Sequence, residues 1–246
     1  MKILVCVSKA PDTTTKIAFN ADGTALNKDG VQYIMNPYDE WYALVRALEL
    51  KEAAGGSVTI INVGPKENDT VIRKGLAIGA DNAVRINSNG GSAMYIAKQI
   101  AEYAKGESFD VVITGKETID ENRSEVGAML AEFLDMPFIS YASKMDVAGN
   151  TATIDRDIEG GTETVEVDTP FVLSAAKGLA EQRIPNMRGI MMAKRKPLNV
   201  VEAVAFDDLV VPVHYELPPA KSAVKLVDPE NMDELVRLLH EEAKAL

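Results

Sequence analysis

Residues 154–174 read IDRDIEGGTETVEVDTPFVLS, a stretch that combines two kinds of β-strand. The run before the Gly160–Gly161 pair is rich in β-formers, and paired glycines supply the positive φ that tight hairpin turns need. Residues 164–168 alternate apolar and polar side chains, which predicts a strand with one buried face. Residues 171–173 are apolar in succession, as in a strand covered on both faces. The stretch therefore predicts a hairpin over 151–168 that leads into a buried strand.

Strands and helices alternate along the chain before this hairpin. This pattern indicates an α/β fold with an open parallel sheet and helices on both faces, interrupted by the inserted β-hairpin. The predicted strands cover residues 2–7, 57–63, 83–86, 110–114 and 171–175. The predicted helices begin near residues 36, 68, 92 and 124, and a last helix covers about 230–245.

Ligands of such sheets bind beyond the carboxyl ends of the strands, near the point where the strand order reverses. Asn36 and Pro37 are expected at the N-cap and first position of a helix that follows one strand end. Asn122 is expected to cap a second helix with Glu125 in a capping box, and a helix N-terminus suits a phosphate. The alternative is that residues 115–126 form only a capped surface loop. No Walker or G-x-G-x-x-G motif is present, so the sequence does not support the usual dinucleotide site.

The composition limits the possible partners and compartments. The chain has 246 residues, 46% of them hydrophobic, and a net charge of −11, which argues against nucleic acid and anionic membrane surfaces. No run approaches the roughly 18 apolar residues of a membrane span, so no membrane insertion is expected. The first predicted strand begins at Lys2, which leaves no room for a targeting peptide. These features predict a cytoplasmic protein.

Few side chains suit catalysis or metal binding. Cys6 lies in an apolar run and is expected to be a small buried hydrophobe. It is the one cysteine of the sequence, so no disulfide can form within the chain. His214 and His240, the two histidines, are expected at the surface. No metal-ligand spacing and no Ser-His-Asp order is visible. We therefore predict no catalytic residue and no metal site.

Several motifs resemble those of one family, the electron transfer flavoprotein (ETF) β subunits. The first is the 154–174 stretch, in the spacing I-x-R-x-x-E-G-G-x-E-x-V-x4-P-x-V-L-S. The others are Met35-Asn36-Pro37, Ala77-x-Gly79-Ala80-Asp81, and Gly115-Lys116 followed by Ile119-Asp120 and Gly127. The resemblance runs from residue 2 to about residue 200.

This resemblance implies a Rossmann-like, adenine-nucleotide-binding fold and an electron carrier rather than an enzyme. In the family, the β subunit pairs with an α subunit that holds most of the contacts to a redox-active FAD. The β subunit usually binds AMP. Electrons come from flavin dehydrogenases, such as acyl-CoA dehydrogenases, and pass to a quinone-linked oxidoreductase. The flavin supplies the redox chemistry, so the protein needs no acid–base groups of its own.

The family's nucleotide contacts carry over to this chain by position. Tyr38 also stands where the family places an aromatic residue close to the flavin of the α subunit. The predicted cofactor-binding residues are Cys6, Asn36, Pro37, Tyr38, Asp39, Val63, Gly115, Lys116, Glu117, Thr118, Ile119, Asp120, Glu121, Asn122, Arg123, Ser124, Glu125 and Val126.

The sequence of residues 120–126 in the nucleotide loop favours AMP over a second FAD. Electron-bifurcating relatives, which bind FAD at this position, usually read D-G-D-T-A-Q-V there. Here Glu121, Arg123 and Ser124 replace smaller residues, and their bulk and charge should crowd an isoalloxazine ring. Arg123 still suits a phosphate. The other hypotheses are a bifurcating β subunit, a universal-stress-like nucleotide-binding protein, and a scaffold without a nucleotide.

Two further segments are assigned to partners. Residues 183–194 resemble the family's loop that contacts dehydrogenases, and methionines make adaptable contact surfaces. The predicted partner-binding residues there are Arg183, Met187, Ile190 and Met191; the alternative is that these apolar side chains are core. Residues 1–200 are expected to form the nucleotide-binding domain. Residues 201–246 are expected to form a C-terminal arm and helix that pack on the α subunit, or else on their own domain.

Overall fold

The computed structural model describes residues 1–221 and 223–246, and in that part of the chain it contains eleven strands and six α-helices. The strands are β1 Lys2–Cys6, β2 Lys9–Pro11, β3 Tyr33–Met35, β4 Ser57–Gly64, β5 Asn82–Asn87, β6 Val111–Gly115, β7 Phe138–Ala148, β8 Thr151–Ile158, β9 Gly161–Asp168, β10 Phe171–Ala175 and β11 Leu198–Glu202. The helices are α1 Asp39–Ala54, α2 Asp69–Ile78, α3 Ala93–Lys105, α4 Val126–Leu134, α5 Met187–Ala193 and α6 Met232–Glu241.

Nine of these strands form one sheet in the order β11-β5-β4-β1-β6-β10-β7-β8-β9. The seven strands from β11 to β7 pair in parallel, whereas β8 and β9 join in antiparallel fashion at one edge. β2 and β3 pair separately. The predicted parallel sheet with an inserted hairpin is confirmed.

Helices cover both faces of the sheet. Successive side chains of β1 point to opposite faces, so Ile3 packs in one core cluster and Leu4 in the other. The first cluster includes Leu44 of α1 and is formed with α2, and the second includes Ile100 of α3 and is formed with α4. This division explains why the central strands are apolar at consecutive positions.

The hairpin forms where the sequence predicts it, but its turn lies one residue earlier. Ile158 is paired with Gly161, so the two turn residues are Glu159 and Gly160 rather than the two glycines. Gly160 alone has a positive φ, of 85°, and Gly161 already belongs to β9. One glycine is therefore enough for this turn, because only its second position needs the left-handed region.

The described residues divide into two contact units. One comprises residues 1–17 and 27–213, and the other comprises residues 18–26 and 214–246. Within the second unit the rings of Phe19 and Tyr215 stack with centroids 5.2 Å apart. The division of the chain near residue 200 and the packing of the arm on another subunit stay predictions. No helix in the described part of the chain is both long and apolar enough to cross a bilayer.

Candidate nucleotide site

A cavity of about 350 Å³ lies at the carboxyl ends of the central strands. From β1 the chain adds β4 and β5 on one side and then crosses over to add β6 and β10 on the other. The strand order thus reverses beside β1, where open α/β sheets bind ligands. The predicted site residues that line the cavity are Cys6, Val63, Gly115, Lys116, Glu117, Thr118, Asp120, Glu121, Arg123, Ser124, Glu125 and Val126. Those that do not line it are Asn36, Pro37, Tyr38, Asp39, Ile119 and Asn122.

Asn36 is fully buried and holds the loop of residues 116–125, the cavity loop, rather than capping a helix. Its side-chain amide donates a 2.9 Å hydrogen bond to the carbonyl oxygen of Glu117. α1 begins at Asp39, after an N-cap residue, Tyr38, that makes no side-chain cap. The predicted N-cap role of Asn36 and helical position of Pro37 are therefore wrong, because α1 begins only at Asp39. The Asn36 Oδ1 atom accepts a long 3.5 Å bond from the N–H of Tyr38, which precedes the helix.

The loop from Lys116 to Glu125 enters α4 through two left-handed residues. Asn122 has φ = 51° and Ser124 has φ = 55°, a region that Asn tolerates better than most residues. α4 begins only at Val126, and Glu125 at the N-cap makes no side-chain bond to it. The predicted capping box is wrong for this reason. Glu125 and Val126, at the start of α4, line the cavity, and no side chain caps the helix there, which suits a phosphate.

The cavity lining mixes both signs of charge. Lys116 Nζ lies 3.3 Å from Glu117 Oε1, and Arg123 Nε lies 3.2 Å from Glu121 Oε2. The basic side chains of the lining are Lys9, Lys28, Lys116 and Arg123, and the acidic ones are Glu40, Glu117, Asp120, Glu121 and Glu125. An anionic ligand can therefore bind only where the basic side chains contact it and the acidic side chains are ion-paired or protonated.

Glu40 is a cavity residue that the sequence analysis did not select. It is 5% exposed, and its Oε2 accepts a 2.7 Å hydrogen bond from the backbone N–H of Ser8. Burial raises the pKa of its carboxyl to about 8, helped by the nearby Asp120 and Asp39. Glu40 lies four residues before Leu44, on the apolar face of α1. A charged residue on that face was the signal in the sequence for a buried acid.

Two buried asparagines of the lining were also missed. Asn62 Nδ2 donates 2.8 Å to the carbonyl of Val7, and Asn68 Nδ2 donates 2.9 Å to Asn62 Oδ1. Asn68 Oδ1 is buried and, among the described residues, has no hydrogen-bond donor. A free acceptor at a cavity wall suits a ligand N–H group. An asparagine between two apolar residues of a strand, such as Asn62, was the signal in the sequence.

Comparison with known proteins places the chain in one family. A family model described as "Electron transfer flavoprotein domain" matches residues 24–206. The chain is 36% identical to electron transfer flavoprotein subunit beta of Bacillus subtilis (strain 168), with both chains covered in full. The subunit of the same name from Syntrophomonas wolfei is 35% identical, with 93% of this chain and 90% of the relative covered. That from Sus scrofa is 33% identical, with 98% and 97% covered.

The chain belongs to the ETF β-subunit family. Two tyrosines of this family member are exposed near the carboxyl end of the sheet. Tyr38 is 50% exposed. Tyr141 has a left-handed φ of 57°, and its backbone N–H donates 3.0 Å to Ser174 Oγ. Lys116 Nζ lies 5.9 Å from the centre of the Tyr141 ring. A strained residue held by its neighbours is typical of functional sites.

The predicted dehydrogenase loop of this ETF β chain presents apolar side chains to solvent. Met187 is 74% and Met191 is 67% exposed, and Ile190 is exposed as well. The alternative that these residues are core is therefore wrong for this chain. Asn186 caps α5 by accepting a 2.8 Å bond from the N–H of Gly189.

Buried and paired groups hold both ends of that loop. Trp41 Nε1 donates 3.2 Å to the carbonyl of Arg183, whose guanidinium pairs with Glu52 at 2.6 and 3.1 Å. Arg73 Nη1 donates 2.7 Å to the carbonyls of Ala193 and Lys196. The Arg183 side chain is thus paired within the chain. The bonds at both ends hold α5 in place while its apolar side chains face solvent.

Proposed function

We propose that this chain is the β subunit of a heterodimeric electron transfer flavoprotein. In this proposal it binds AMP in the 350 Å³ cavity and completes the FAD site of an α subunit. The flavin takes electrons from flavin dehydrogenases, such as acyl-CoA dehydrogenases, and passes them to a quinone-linked oxidoreductase. The observation that carries the proposal is a nucleotide-sized cavity at the sheet's switch point in a chain of this family.

The shape and chemistry of the cavity support AMP. Its volume lies at the low end of the roughly 300–1,000 Å³ range of ligand pockets, which favours a mononucleotide over FAD. Arg123 and the uncapped first turn of α4 suit the phosphate. Asn68 Oδ1 suits an amino group such as that of adenine. The side chains of Glu121 and Arg123 line the cavity, and their bulk and charge would crowd a second isoalloxazine ring there.

Exposed apolar residues in the C-terminal part of the chain support a subunit partner. Exposed apolar side chains are common at protein interfaces, because burying them on association is favourable. The residues concerned are Leu209, Val210, Val211, Val213, Leu217, Val224 and Leu226. An α subunit that covers this segment would explain its composition.

Denaturing the purified protein and analysing the released nucleotides by mass spectrometry tests the ligand. We expect about one AMP per chain. Arg123→Ala should lower the AMP content, because it removes a cation from the cavity, whereas Arg188→Ala, an exposed arginine outside that cavity, should not. Two FAD and no AMP per αβ pair would establish the bifurcating type instead. Release of no nucleotide would leave only the scaffold hypothesis.

Met187→Ala tests the dehydrogenase surface. We expect the catalytic efficiency of electron transfer from an acyl-CoA dehydrogenase to fall about tenfold, since truncating a central interface anchor costs more than about 1 kcal/mol. Met187 is largely solvent-exposed, so nucleotide content and stability should not change. Val200→Ala, at another exposed apolar residue, is the control. Equal rates for Met187→Ala and the unmodified chain would remove this residue from the partner surface.

A further inference from the structure

Glu40 lies beneath the point where β6 ends and the cavity loop begins. A methyl group at Gly115 would lie 2.9 Å from Glu40 Cγ and 3.1 Å from its backbone nitrogen, so the glycine lets the two elements touch. The N–H of Ser8 donates a 2.7 Å hydrogen bond to the Glu40 carboxyl, and the Ser8 side chain lies beside it. Both Ser8 groups favour the ionised form, but burial outweighs them. No Lys, Arg or His among the described residues lies within ion-pairing distance of this carboxyl.

The groups that face Glu40 are acids or neutral groups. Asp39 precedes it on α1, and Asp120 approaches from the cavity loop. Cys6, on β1, is buried, and burial raises the pKa of its thiol, so it stays neutral. Lys116, a cation of the same loop, pairs with Glu117 at 3.3 Å and is also attracted by Asp39. An ionised Glu40 would therefore meet an incoming phosphate without a counter-ion.

We propose that Glu40 faces the bound nucleotide as a neutral carboxylic acid and donates its proton to an acceptor atom of the ligand. One oxygen keeps the Ser8 N–H, and the protonated oxygen bonds the nucleotide. The arrangement makes Glu40 a sensor of pH within the nucleotide site. This inference rests on the proposed function, because it takes AMP as the ligand.

The pKa of Glu40, about 8, sets the range in which the sensor acts. Below that pH the free protein already carries the proton that binding needs. Above it, AMP must bind together with a proton, so its affinity falls as pH rises. The phosphate of AMP is fully ionised by then, since phosphate monoesters lose their second proton near pH 6. A change between pH 7 and pH 9.5 therefore comes from the protein.

Calorimetric titration of AMP into the nucleotide-free full chain tests this inference. We expect the affinity to fall about 30-fold between pH 7 and pH 9.5, because each pH unit above the pKa leaves tenfold less of the protonated acid. Titration at pH 8.5 in two buffers of different ionisation enthalpy should show uptake of about 0.8 proton per AMP. In Glu40→Gln the amide replaces the acid as donor, so both the pH dependence and the proton uptake should disappear.

Glu132→Gln is the matched control, because Glu132 is exposed on α4 and lies outside the cavity lining. It should keep the pH dependence and the proton uptake of the unmodified chain. Binding of AMP by the unmodified chain with a flat pH profile and no proton uptake would overturn this inference alone. Absence of AMP binding at pH 7 would overturn the AMP assignment together with it.

Discussion

Phe171→Ala is expected to lower the free energy of unfolding by about 3–5 kcal/mol, the range for removing a buried aromatic ring. Phe171 begins β10, the central strand that follows the hairpin, and is fully buried. It pairs with Val111 of β6 and packs in the cluster beneath α1 and α2. The cavity left by the ring cannot close easily, because sheet strands on both sides fix the backbone.

Urea denaturation of the full chain measures this loss. The control is Ile158→Ala at the solvent-exposed end of the hairpin, where we expect a loss of less than about 1 kcal/mol. Phe171→Leu, which removes less volume, should cost less than Phe171→Ala and serves if the alanine variant does not fold. Equal losses for Phe171→Ala and Ile158→Ala would contradict a central position for β10.

Most of the fold follows from local patterns, because most elements here carry their own signal. Residues 171–173 are apolar on consecutive positions, and the strand they predict is buried on both faces. β7 was not predicted, since Lys144 and Asp146 interrupt its apolar pattern. Its place is set by pairing with β10 and β8, which are far away in sequence. Edge strand β11 was missed for the same reason.

The site is less predictable, since its contacts join distant segments. The position of residues 115–126 after a strand pointed to a ligand segment, and most of them line the cavity, while their binding of a nucleotide stays a prediction. The side chain of Asn36 suits a helix cap equally well in isolation, and only the start of α1 at Asp39 and the distant carbonyl of Glu117 decide its role. An acid such as Glu40 in a first helical turn normally indicates a favourable contact with the helix dipole. Burial against Gly115, which no local rule shows, changes its protonation instead.

Glu40→Gln is expected to stabilise the nucleotide-free chain at alkaline pH by about 3–5 kcal/mol and to have little effect near pH 4. The carboxyl has a pKa near 4.5 in the unfolded chain and about 8 in the native state. Between these values the native state binds a proton that the unfolded chain has released. The free energy of unfolding of the unmodified chain therefore falls as pH rises from 4.5 to 8, and the loss is complete above 8.

Denaturation at pH 4, 6, 8 and 9 of the unmodified chain, Glu40→Gln and Glu132→Gln measures this difference. The advantage of Glu40→Gln should grow with pH up to about 8 and then stay constant, while that of Glu132→Gln stays small throughout, because Glu132 is exposed. A difference that does not change with pH would mean that Glu40 is ionised in the native state. A stability cost that grows between pH 4.5 and 8, where the unfolded chain has released the proton that native Glu40 keeps, would show that the chain holds this acid in the cavity at the expense of its own stability, as is common for functional sites.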